Sequence, residues 1–221
     1  QLFGTCNILA YKKSHRVAAS IKQAQHDYPA EWGNNPTQLQ SFQAETPFGA
    51  IQVATMPGVF SWQELDEGTR FLLENTTLSG EQSVLDVGCG TGLIGTALAS
   101  QVEHIIMVDD NLLALRCAEA TAAHNQHENV TVLPSDVYKA LDGNTFDLII
   151  TNPPFHKKFD VNTNVSKQII ENAPDHLDNG GRLLMVANAF LRYEPLFEAH
   201  FATYDVIARN NKFKIIEGTK A

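Results

Sequence analysis

Cysteine is scarce in this chain. The three present, Cys6, Cys89 and Cys117, are odd in number and share no metal-binding spacing. A disulfide framework is therefore not expected, and reduced thiols in a cytoplasmic protein are. No stretch approaches eighteen consecutive apolar residues, so no membrane-spanning helix is expected. The opening QLFGTCNILA has neither an initiator Met nor a signal-peptide pattern, as expected of a piece of a longer polypeptide. Positive charge is also short: 16 Lys and Arg face 25 Asp and Glu, a formal net charge of −9, which argues against a bulk nucleic-acid binder. Three small basic islands, at 11–16, 156–158 and 210–214, read as surface patches. His124 and His127 lack partner ligands nearby, so no metal site is expected.

What is present is an ordinary globular composition, 43% hydrophobic and 19% charged, enough for one large domain. Residues 14–25 fit a short helix, and 26–49 are rich in Pro, Gly, Asn and Gln and read as linker. That predicts a boundary at about residue 50, with 1–50 a remnant and linker and 51–221 the main domain. After the short strand AIQVAT, a helix is predicted from Ser61 as N-cap with Glu64 completing a capping box. Apolar runs at 83–87, 104–109, 130–133, 146–151 and 182–188 then alternate with helical stretches around 93–101, 111–125 and 163–177. Such alternation means βαβ units and a parallel sheet. A helix at 194–202 and two late strands joined at Asn210-Asn211 complete the prediction. The fold class is α/β, Rossmann-like: a mostly parallel, seven-stranded sheet with a C-terminal antiparallel hairpin.

Two motifs carry chemistry. VLDVGCGTGLIG puts Gly88, Gly90, Gly92 and Gly95 directly after the first parallel strand, where main chain can turn tightly against a ligand. Gly90-x-Gly92-x-x-Gly95 matches the dinucleotide fingerprint, with Asp109 about twenty residues on. Asp86-x-Gly88-x-Gly90-x-Gly92 matches the S-adenosylmethionine signature equally well. Two details favour the methyl donor. Asp86 would repel a pyrophosphate but suits an ammonium group, and Asp136, after the third strand, can accept from an adenine amino group. Asp109 fits ribose hydroxyls in either scheme, with Asp110 beside it as the alternative. The second motif is ITNPPFH: Pro153 and Pro154 stop a buried strand at Asn152 and set Phe155 on a stiff strut. A proline turn explains it as well as a gripping site does.

With VLDVGCGTG, VDDN, PSDV and TNPPF in that order, the chain resembles class I methyltransferases that act on exocyclic amines. PGVFSWQELDEGTRFLLE, NPPFH, VANAFLRYE and NNKFKI make it similar to the RsmC/RlmG family of ribosomal RNA guanine-N2 methyltransferases, over about residues 55–219. VANAFLRY is nearer the small-subunit branch and ARNNKFKI the large-subunit branch. The resemblance implies S-adenosylmethionine as cofactor, ribosomal RNA or a ribosomal subunit as partner, 16S RNA ahead of 23S, and a monomer. It implies that Asn152, Pro153, Pro154 and Phe155 form the catalytic tetrad, Asn152 and Pro153 accepting amine hydrogens while Phe155 stacks on the base. Asp66, with Phe60 and Glu64 near it, would flank the methionine part of the cofactor. His156, Asn188, Phe213 and Lys214 are candidates for the base pocket. Methylation of protein glutamine or DNA adenine, and a non-catalytic RNA-binding module, are the alternatives.

Overall fold

The computed structural model describes residues 3–12, 15–22, 38–154 and 161–221. It divides into two compact units, Gln1–Gln38 and Leu39–Ala221. The first contains the antiparallel pair β1 (Phe3–Lys12) and β2 (His15–Lys22). The helix expected over 14–25 is thus replaced, over the described residues, by strand β2. HRVAASIK alternates polar and apolar positions closely enough for either period, and cross-strand pairing settles it.

The larger unit begins with a hairpin, β3 (Gln40–Thr46) and β4 (Gly49–Thr55), where linker was expected up to residue 49. Residues 39–50 therefore belong to the larger unit. Its anchor is remote in sequence. The Thr121 hydroxyl accepts from Ala54 N at 2.9 Å, and Asn125 bonds both N and O of Gln52 at 3.0 Å. Polar residues such as Gln and Thr make this hairpin look like loop until Thr121 and Asn125 supply partners.

The central sheet comprises β5 (Ser83–Val87), β6 (His104–Asp109), β7 (Val130–Pro134), β8 (Phe146–Thr151), β9 (Leu177–Asn188), β10 (Thr203–Arg209) and β11 (Phe213–Thr219). Their spatial order is β10-β11-β9-β8-β5-β6-β7. The pairs among β5 to β9 are parallel, whereas β11 runs antiparallel to both β9 and β10. Helices α1 (Glu67–Glu74), α2 (Leu93–Leu98), α3 (Leu112–His124), α4 (Val161–Asn172) and α5 (Glu194–His200) cover it.

The period-2 alternation of the strands splits the core into two layers. Val84, Leu148, Ile150, Leu184 and Val186 face one layer with residues of α1, α2 and α3; Leu85, Ile149, Leu183 and Met185 face the other with residues of α4 and α5. Burial on both faces is why these strands read as unbroken apolar runs. The predicted cap of α1 is displaced. Ser61 has φ 53°, outside any N-cap geometry, and its hydroxyl donates to Glu64 O instead. Asp66 is the N-cap, accepting from Thr69 N at 2.8 Å.

The α5 layer is tight at Gly218 of β11. A Cβ there would lie 2.7 Å from both Phe197 and Phe201, whose rings stack at 5.2 Å. Gly218→Ala should lower the unfolding free energy by about 1–3 kcal/mol, because neither ring has room to move. Denaturant titration of variant and parent measures it; a loss under about 0.5 kcal/mol would mean this layer is looser than described.

Candidate functional site

The sheet order reverses between β5 and β8, the position at which an open α/β sheet leaves a crevice beyond its strand ends. Asp86 pairs in register with Ile150, so the glycine loop after β5 and the Asn-Pro-Pro segment after β8 emerge side by side. Thr151 strengthens the join, its buried hydroxyl donating to Val87 O at 2.7 Å. A cavity of about 720 Å³ opens there.

One wall is the glycine loop. Gly90 has φ 55° and donates its amide to the Asp109 carboxylate at 2.9 Å. Gly92 has φ 75°, and a Cβ on it would sit 2.8 Å from the Ala118 backbone, so only glycine fits between loop and α3. Asp109 spends its other oxygen on Asn111 N at 2.9 Å. Burial raises its pKa against the pull of these two amides. Asp109, Asp110 and Asp136 all line the cavity. Asp136 is exposed and paired with Lys139 at 2.5 Å. Beside it Val137 holds φ 55°, a strained conformation for a β-branched residue, with its carbonyl accepting from the Ser135 hydroxyl at 2.8 Å. Val137 lines the cavity too, and nothing in the sequence pattern singles it out.

Asp86 is placed differently from the other carboxylates. It is fully buried and does not line the cavity. One oxygen accepts from Gly95 N at 3.0 Å, tying β5 to α2 beneath the loop, while the other has no partner. Burial pushes its pKa up to about 7, the Gly95 hydrogen bond opposing and Asp109 adding to the rise.

The opposite wall carries Asn152. Its side-chain nitrogen donates one hydrogen to Asp66 Oδ2 at 3.0 Å and the other to Thr69 Oγ1 at 2.7 Å. An ionised carboxylate only accepts, so the amide cannot flip. Both donors being spent, the amide oxygen is left for the cavity that Asn152, Pro153 and Pro154 line. Gly68 leaves room for the arrangement, since a Cβ there would lie 3.0 Å from Asp66 Oδ2. Thr69 was not anticipated from sequence, although its place three residues after an Asp is the N-cap spacing.

Asn188 and Phe213 face each other in the β9–β11 register and both line the cavity, as do Phe60, Glu64 and Asp66. Lys214 does not join them. Strand alternation turns it to the other face, where it is 1% exposed and its ammonium holds Glu194 at 2.5 Å. Burial would raise the pKa of Glu194, but the Lys214 hydrogen bond and charge bring it below the ordinary value. Phe155 and His156 lie outside the described residues. His124 closes α3, His127 lies three residues beyond it, neither lines the cavity, and no cluster of metal-ligating side chains occurs among the described residues.

The sequence pattern of the methyltransferase small domain family matches residues 50–217. The chain belongs to that family. The chain is similar to a ribosomal RNA small subunit methyltransferase C of Hamiltonella defensa, 41% identical over 171 residues, 76% of this chain and 50% of that protein. A protein of the same name from Erwinia tasmaniensis is 37% identical over 197 residues, 88% of this chain and 57% of that one. The chain thus spans about half the length of these relatives. Among solved structures, the Thermus thermophilus 16S rRNA N2 G1207 methyltransferase in complex with AdoMet and guanosine superposes with TM-score 0.83 at 28% identity, over all of this chain and 59% of that one. A Pyrococcus furiosus methyltransferase, TM-score 0.59 at 17% identity, shares the fold.

The buried Asp86 makes stability depend on pH. Its folded pKa, about 7, exceeds the ordinary 3.8, so the folded state holds the proton through that window while the unfolded chain has released it. Its favourable contribution is complete below pH 4 and is lost as pH rises to about 7. Asp86→Asn should remove this loss, gaining on the parent by roughly 1.4 kcal/mol per pH unit across the window and levelling off above it. Unfolding titrations from pH 5 to 8 test this; parallel curves for variant and parent would show that Asp86 is ionised throughout.

Proposed function

We propose that the chain methylates the exocyclic N2 of a guanine in ribosomal RNA, 16S RNA first, with S-adenosylmethionine as donor. The observation that carries this reading is the fixed Asn152 amide, which offers an acceptor oxygen to the cavity next to the glycine loop. The kinship with enzymes named for small-subunit ribosomal RNA supports the substrate class.

The residues present fit the cofactor. Asp109 would accept from ribose hydroxyls, Asp136 and Val137 would border the adenine, and the main chain of Gly88 to Gly92 would approach the methionine part. Asp86 would serve from below, holding the loop through Gly95. When bound, S-adenosylmethionine supplies a methyl group already activated by its positively charged sulfur.

Guanine N2 is a weak nucleophile because its lone pair is conjugated with the ring. The Asn152 oxygen and the Pro153 carbonyl each accept one amine hydrogen, which draws the lone pair out of conjugation and fixes its direction. The proton then leaves N2 for water, so no strong general base is needed. Alignment accounts for much of the rate. Phe213, on the cavity wall, would flank the base plane, and Phe155 would stack on it. A base in a helix must first leave its stack.

Tritium transfer from labelled S-adenosylmethionine to 30S subunits, 50S subunits, naked ribosomal RNAs and protein extract tests the reading. We expect label in one RNA, with kcat reduced about 10²-fold or more by Asn152→Ala and cofactor affinity nearly unchanged. Label in protein alone, or none while the cofactor binds, would overturn it. Thr69→Val removes one of the two acceptors that orient Asn152. It should lower kcat about tenfold at constant cofactor affinity, with Thr69→Ser restoring it. A Val variant with normal kcat would mean Asp66 alone orients the amide.

A further inference from the structure

Phe213 lines the reaction cavity and also a second, shallower groove of about 340 Å³. The groove lies between the exposed face of α1 and the β10–β11 turn, with Arg70 and Phe71 on one bank and Asn210, Asn211 and Lys212 on the other. Phe71 and Phe213 pack with ring centroids 6.4 Å apart.

Arg182 and Lys214 are held by carboxylates in largely buried pairs, whereas the cations bordering this groove are exposed. The exposed Arg70 guanidinium makes no ion pair or side-chain hydrogen bond among the described residues. Lys212 bonds Glu67 at 2.6 Å, but both side chains are about two-thirds exposed, and such a pair exchanges readily for a better anion. Behind the turn, Ala189 N donates to Lys212 O at 2.8 Å and Arg209 donates to Ala189 O at 3.3 Å. This holds a further guanidinium beside the same edge. Glu67 and Glu74 also border the groove, so it is mixed in charge rather than uniformly basic.

We propose that this groove seats the nucleotide adjoining the target guanine, its phosphate held by Arg70 and by Lys212 released from Glu67. The proposal rests on the RNA-methylating reading of the cavity. Because Phe213 lines both spaces, a strand with its guanine in the cavity can run on along that residue into the groove. Phe213 then stands between the target and its neighbour and replaces stacking lost when the base leaves its stack. Asn210 and Asn211 offer donors and acceptors to a base edge, and the carboxylates accept from exocyclic amino groups. An aromatic wall with exchangeable cations suits single-stranded RNA better than a peptide, which would have no phosphate for Arg70.

Two variants pull in opposite directions, which separates binding from general damage. With the full chain and the RNA that the parent labels, Arg70→Ala should raise KM for RNA about tenfold. It should also reduce the slope of log affinity against log salt by about 0.7, the loss of one phosphate contact on a single strand. Glu67→Gln, which frees Lys212, should lower KM for RNA by a few-fold. Affinity for S-adenosylmethionine, measured by calorimetry, should be the same in all three proteins. Unchanged KM and salt slope in both variants would overturn the groove assignment while leaving the cavity reading intact. KM rising in both, together with weaker cofactor binding, would also overturn it, since that is the mark of a disturbed α1. A parent that labels no RNA removes the reading on which the groove stands.

Discussion

Strand β5 lies hydrogen-bonded between β6 and β8, and the cavity depends on those two pairings. The β6 side delivers Asp109 to the glycine loop, where it accepts from Gly90 N. The β8 side delivers Asn152 to the opposite wall, one residue beyond the Thr151 hydroxyl that bonds Val87 O. A shift of one residue in β8 would turn Ile150 out of one core layer and take Asn152 away from Asp66. The apolar alternation that buries Ile149 and Ile150 on opposite faces therefore also sets the reactive geometry.

Two buried charges show how differently the fold treats ionisable groups. Lys214 is nearly inaccessible but keeps a carboxylate partner in Glu194, so its charge is satisfied. Asp86 is equally inaccessible with one oxygen unpartnered, and burial lifts its pKa to about 7. The first is a packing element of the α5 layer. The second keeps a titratable carboxyl directly under a main-chain loop that must stay rigid, at a cost in stability above the ordinary carboxylate range. Asp66 is a third case: half-exposed, it serves at once as helix cap and as acceptor for the Asn152 amide. Formation of α1 and orientation of Asn152 are thereby coupled.

The α/β class, the strand positions and both motifs were legible because they rest on local rules: apolar runs of strand length, glycines after a strand, prolines that end one. Local rules decide nothing where two of them are balanced. Residues 15–22 and 40–46 carry patterns that more than one assignment fits, and pairing with the neighbouring strand decides them. Ser61 and Asp66 both head plausible caps, and the helix chose the one whose carboxylate also had Asn152 to bind. Lys214 was drawn to the cavity by adjacency to Phe213, although neighbours on a strand face opposite ways.

By itself, the sequence determined which chemistry was available: a glycine loop preceded by a carboxylate, an acidic residue ending the next strand, and an asparagine before two prolines. These are short-range facts of backbone freedom and side-chain type, and they survive any arrangement of the rest. Only the tertiary structure decided what each group does. It buried Asp86 beneath the loop instead of in the cavity, spent both Asn152 hydrogens on Asp66 and Thr69, and set Phe213 on the wall of both cavity and groove. Each of those outcomes joins residues from separate elements, Asp66 and Asn152 being 86 positions apart. Contacts at that range follow from sheet order and packing, which no local pattern encodes.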